Sequence, residues 1–179
     1  PDSLTWNEAD TRHRFIDILI HDVLGWERST TNLERYEGGD YSDYELGKPP
    51  EVIIEAKRAG VSFEIPHEGT ASVVRSIRSL TSMSPEFKAA FEQAASYCAS
   101  RGIQVGVVAT SSQVVVFLGV RTDGIPTMDG RCLVFGDHSA LIEHFPRLWQ
   151  AISPGAIQQR ALLRELTSTT PTGVPAKLS

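Results

Sequence analysis

Only two cysteines occur in 179 residues. Cys98 and Cys132 have neither metal-ligand nor redox spacing, which argues against zinc ribbons, disulfide scaffolds and dithiol chemistry. Both read as small core residues of a reduced protein. No apolar run approaches the roughly 20 residues that cross a bilayer, so a cytoplasmic protein with no membrane partner is expected. A Gly-x-x-x-x-Gly-Lys-Ser/Thr phosphate loop, a nucleophile elbow and an internal repeat are all missing. Positive charge is not in excess either: 22 acidic residues against 17 basic ones leave a net charge of −5. That balance is awkward for a nucleic-acid partner. It does not exclude one, because acids that bind cations and local basic patches coexist on one surface. Apolar residues at 41% and charged residues at 22% are ordinary for a globular chain, and the length suits one domain with a sizeable core.

What the chain does have is an acid placed twelve residues before a Glu55-Ala56-Lys57 triplet. Asp43-Tyr44-Glu45-Leu46 leads into a Gly47-Lys48-Pro49-Pro50 turn, and the apolar run Val52-Ile53-Ile54 then carries Glu55 and Lys57. Side chains alternate along a strand, so Glu55 and Lys57 share one face while Val52, Ile54 and Ala56 share the other. In an antiparallel hairpin centred on Pro49, residues whose numbers sum to 98 are opposite, and Asp43 faces Glu55 with β-carbons roughly 5 Å apart. An exposed Glu-x-Lys is usually a weak surface ion pair. A strand apolar on both faces is instead a central one, where two carboxylates and an ammonium are costly without a role. Such an acid pair suits a hard divalent cation, Mg²⁺ with Mn²⁺ as substitute. A carboxylate-held cation, with Lys57 orienting a water or countering developing charge, suits phosphodiester hydrolysis.

These residues resemble the core of the PD-(D/E)xK nucleases, and are most similar to the N-terminal nuclease domain of type I restriction enzyme R subunits. Asp43-Tyr44-Glu45-Leu46 and Val52 through Lys57 match its two motif strands. Asn7-Glu8-Ala9-Asp10-Thr11-Arg12, Phe15-Ile16-Asp17 and Leu24-Gly25-Trp26 match its first helix and exit. Gln93-Ala94-Ala95-Ser96-Tyr97 matches its Gln-x-x-x-Tyr helix. The resemblance covers roughly residues 7–120. It implies Asp43, Glu55, Lys57, Gln93 and Tyr97 as catalytic residues and Glu8, Asp43 and Glu55 around the metal. It further implies a DNA substrate, a restriction or anti-phage role, and a motor or sensor ATPase outside this sequence. Glu45 departs from the pattern, which has an apolar residue there. It places a third acid on the Asp43 face, at a site that tolerates more negative charge or at a solvated strand end.

Elsewhere the signals in the chain are local. Asn7 is a candidate helix N-cap, with Glu8 either a first-turn acid or a metal ligand. Ile16, Leu19, Ile20 and Val23 recur at helical spacing as a buried stripe ending near Gly25. A first strand is expected over 32–36, a loop over 37–41, and Asp40 as a rival to Asp43 facing the opposite side. A helix over 71–80 would place Arg75 and Arg78 on one face, to be read as a solvated face or, with Arg58, as contacts to DNA phosphates. Ser84-Pro85-Glu86 is a helix start whose apolar stripe includes Phe87, Phe91 and Cys98, with Gly102 as the stop. Runs 103–109 and 113–120 read as a hairpin, 121–130 as a loop, 132–135 as a strand, and 140–152 and 156–166 as helices. The expected fold is α/β, a restriction-endonuclease-like core with a mixed sheet between helices, over residues 1–166. Residues 167–179 have the Thr/Pro composition of a linker, and the chain starts with Pro, so a piece of a longer protein is expected, capable of homo-oligomerising. Two alternatives stay open: an inactive nuclease-fold module for nucleic-acid binding or protein docking, and an RNA-directed nuclease.

Overall fold

In the computed structural model the described residues are 15–37, 40–57, 64–65 and 73–167. They build an α/β unit around a seven-stranded mixed sheet. The strands are β1 (Thr31–Glu37), β2 (Asp40–Leu46), β3 (Val52–Ala56), β4 (Val74–Ser76), β5 (Val105–Ala109), β6 (Val114–Leu118) and β7 (Arg131–Phe135). Their spatial order is β1-β2-β3-β5-β6-β7-β4. Only β3 and β5 are parallel; every other neighbouring pair is antiparallel. All residues of β3, β5 and β6 are buried, as expected of β-branched runs covered on both faces.

One face of the sheet carries Tyr44, Leu46, Val52, Ile54, Val107 and Val116. It packs against the N-terminal helix and the C-terminal helices. The latter are α4 (His138–Glu143), α5 (Phe145–Ile152), α6 (Pro154–Gln158) and α7 (Ala161–Thr167). The opposite face carries Ile53, Val108, Val115, Phe117 and Cys132 beneath α2 (Ile77–Met83) and α3 (Pro85–Arg101). Helix α3 starts and stops on the residues that announce it. Ser84 Oγ accepts the Phe87 N–H at 3.1 Å, Pro85 opens the first turn, and Gly102 closes it at φ 68°.

The differences from expectation have local causes. The N-terminal helix α1 (Ile18–Val23) is of π type, and Leu24 N–H bonds Leu19 C=O. That i→i+5 spacing buries Leu24 in place of Val23, which is 39% exposed. The expected loop at 37–41 is narrower, since β1 runs to Glu37 and pairs with Asp40, already in β2. The expected helix over 71–80 is a strand at Val74–Ser76, which pairs with β7, and Ser76 Oγ caps a helix that starts at Ile77; residues 71 and 72 lie outside the described residues. The expected helix over 140–152 is two helices meeting at His144, because Pro146 in the first turn of α5 has no N–H to continue the first. Between α6 and α7, Arg160 adopts φ 52°, which splits the expected helix over 156–166.

Candidate catalytic site at the carboxyl end of β3

The hairpin register places Tyr44 opposite Ile54, Glu45 opposite Ile53 and Leu46 opposite Val52. Each pair sums to 98, as the turn chemistry predicts, and Asp43 and Glu55 are the next residues beyond the Tyr44–Ile54 pair. Asp43 Oδ2 accepts the Ala56 N–H at 2.6 Å, so the carboxylate takes a donor of the β3 backbone. Glu55 is 3% exposed and forms an ion pair with Lys57 Nζ. Lys57 also continues the parallel ladder, its N–H donating to Ala109 C=O at 2.7 Å. The carboxyl ends of β3 and β5, the only parallel pair among the described residues, therefore lie side by side at this point, where open α/β sheets place their ligands.

Helix α3 lies on the same face. Lys57 Nζ donates to Gln93 Oε1 at 3.4 Å, which brings Gln93 to the Glu55–Lys57 pair. Tyr97, one turn further on, donates its hydroxyl to Glu45 Oε1 at 3.1 Å. Glu45 is fully buried and forms an ion pair with Arg101. Of the two expectations for Glu45 the solvated strand end does not hold, and Arg101 meets the third acid. Arg101 escaped the sequence reading, although its spacing of four from Tyr97 and eight from Gln93 puts it on the same flank of the helix.

Arg75 and Arg78 do not share a helix face. Arg75 is in edge strand β4, paired with Cys132, and Arg78 is in the first turn of α2, bonded through Nε to Asp129 at 2.7 Å. The β-branched Val73-Val74 pair and the Ser76 cap favour a strand followed by a helix start here. Four strand spacings separate β4 from β3, about 19 Å. Glu8 and Arg58 lie outside the described residues.

The donor set is chemically suited to Mg²⁺ or Mn²⁺: Asp43 and Glu55 are hard oxygen donors on one face at one strand end. Among the described residues no group of three His, Cys, Asp or Glu side chains is arranged to hold a metal ion. The cysteines are inert partners: burial pushes both thiols up to about 12. Among the described residues no helix is long and apolar enough to cross a membrane. Comparison with protein-family models, with curated proteins and with solved structures finds no match to this chain.

Proposed function

We propose that the chain is a divalent-metal-dependent endonuclease domain that hydrolyses DNA phosphodiester bonds. On this reading its core is restriction-endonuclease-like, and it serves as the effector of a cytoplasmic restriction or anti-phage system. Further motor or sensor domains would complete that system. The observation that carries the reading is the convergence of Asp43, Glu55, Lys57 and Gln93 at the carboxyl end of β3.

Asp43 and Glu55 would hold the cation, with Glu8 as the third acid the resemblance supplies. When bound, the cation provides Lewis-acid charge at the phosphoryl oxygens. Lys57, ion-paired with Glu55, donates to the attacking water or to the phosphoryl oxygens on which charge develops. The water oxygen bonds to phosphorus and releases one proton to solvent as the bridging P–O bond breaks, and the leaving oxygen takes up one proton from solvent. Gln93 holds Lys57 Nζ from the helix side and fixes its direction. Arg75, and more weakly the Asp129-paired Arg78, would meet the DNA backbone away from the scissile phosphate.

A second reading has its own observation. The Lys57–Glu55 ion pair and the Asp43 bond to Ala56 N–H leave a self-satisfied cluster, as a non-catalytic docking or nucleic-acid-binding module would have. Incubation with plasmid DNA and a matched RNA, with and without Mg²⁺ or Mn²⁺, separates the readings. The nuclease reading expects metal-dependent cleavage of DNA that Lys57→Ala and Asp43→Ala abolish. Cleavage surviving either substitution removes these residues from the mechanism. Salt-sensitive DNA binding with neither cleavage nor Mn²⁺ binding selects the module.

A further inference from the structure

A largely buried ion pair between a helix and a sheet calls for a reason other than stability. Replacing such a pair by apolar side chains of similar volume is often neutral or stabilising. Glu45 is fully buried, and it meets Arg101 together with the Tyr97 hydroxyl. Tyr97 Oη also accepts from Arg101 at 3.2 Å, and the guanidinium lies 5.6 Å from the Tyr97 ring centroid. Two side chains of α3 thus converge on one carboxylate of β2 through directional bonds, whereas the apolar contacts of Ile53, Cys98 and Ile103 around them have no direction.

We propose that Glu45 and Arg101 are positioning residues for the Lys57 site, acting through α3 to hold Gln93 over Lys57; the catalytic significance of that contact rests on the nuclease reading. The dimensions agree. From Gln93 to Arg101 is eight helical residues, about 12 Å. Glu45 pairs with Ile53, and from Ile53 to Lys57 is four strand residues, about 13 Å. Helix and strand therefore run past each other with one contact at each end, Gln93 to Lys57 and Arg101 to Glu45. A slip of α3 by one residue turns the helix by about 100° and swings Gln93 off Lys57. An apolar interface tolerates that slip, and the Glu45 carboxylate does not. The chain departs from its resemblance at Glu45, and Arg101 is the residue that answers the departure.

The test is the full chain carrying the double substitution Glu45→Leu and Arg101→Met, with ¹³C-labelled lysine and the Lys57 signal assigned through Lys57→Arg. The double variant is expected to melt within a few degrees of the parent. Its Lys57 side-chain signal is expected to move in the direction seen for Gln93→Ala. Metal-dependent cleavage should fall about tenfold or more in kcat with KM nearly unchanged, the order expected of a small misplacement. A folded double variant with Lys57 at its parental position overturns the proposal. Should that variant fail to fold, Tyr97→Phe removes one hydroxyl from the cluster and is expected to move the Lys57 signal less, in the same direction; no movement overturns the proposal equally. The spectroscopic arm needs neither metal nor DNA. A parent chain that does not cleave therefore overturns the nuclease reading and still leaves the positioning role to be judged.

Discussion

Asp43 has two tasks that a single substitution separates. As an acceptor for the Ala56 N–H it supports the β2–β3 edge, and as a charge it belongs to the proposed metal set. Asn keeps an acceptor oxygen and drops the charge; Ala drops both. Asp43→Asn is therefore expected to melt at or above the metal-free parent, since one of two like charges on the face is gone. Asp43→Ala is expected to lose about 1–3 kcal/mol by stranding a buried N–H. With Mn²⁺ at about 100 times its dissociation constant the parent gains about 2.7 kcal/mol, and neither variant responds. Thermal melts across a Mn²⁺ titration decide it. A parental response in Asp43→Asn would exclude Asp43 as a ligand and make Asp40 the next acid to test. The pairing of Tyr44, Glu45 and Leu46 with Ile54, Ile53 and Val52 was legible in the sequence because a proline turn and an alternating strand leave one register. The capture of Ala56 N–H and the engagement of Glu45 by Arg101 were not, because backbone donors and helix–sheet pairs depend on how elements dock.

Elements with strong end signals and long periodicity were readable, and those set by distant partners were not. Helix α3 runs between its Ser84 cap and Gly102 stop as the sequence indicates. Strand β4 has three residues and exists because β7 offers an edge, so no local pattern separates it from the helix that follows. Inside the sheet, Gly106 and Phe117 face each other across β5 and β6. The Phe117 ring lies where a Gly106 β-carbon would go, and its centroid is 4.7 Å from that of Phe91 on α3. The glycine thus lets a cross-strand aromatic reach the helix above the sheet. Gly106→Ala is expected to cost about 1–3 kcal/mol by overpacking. Adding Phe117→Leu should recover part of that loss in denaturant melts. A second substitution that costs the same in both backgrounds would mean that the ring is not the obstacle.

Across the whole molecule, the layered α/β architecture follows from buried β-branched strands alternating with capped helices, and sequence alone anticipated it. The strand order was not legible, since the edge position of β4 depends on pairing with residues almost sixty positions away. Stability at high pH is also a property of the whole fold. Burial raises Cys98 and Cys132 from 9.0 to about 12. A raised folded-state value means that each thiol contributes stability fully below pH 9, lost as pH climbs towards 12. The slope is about 1.4 kcal/mol per pH unit per thiol. Replacing both cysteines by Ala is expected to flatten this part of the decline in melts between pH 9 and 12. An unchanged slope would show that other groups account for it. The edge position of β4 has one more consequence, in time. Arg75 and Cys132, partners across β4 and β7, are 57 residues apart. At about 5–20 residues per second, a ribosome delivers the first roughly 3–11 s before the second. During that interval β4 has no template, and the last edge of the sheet closes only after the chain between the two strands has been made.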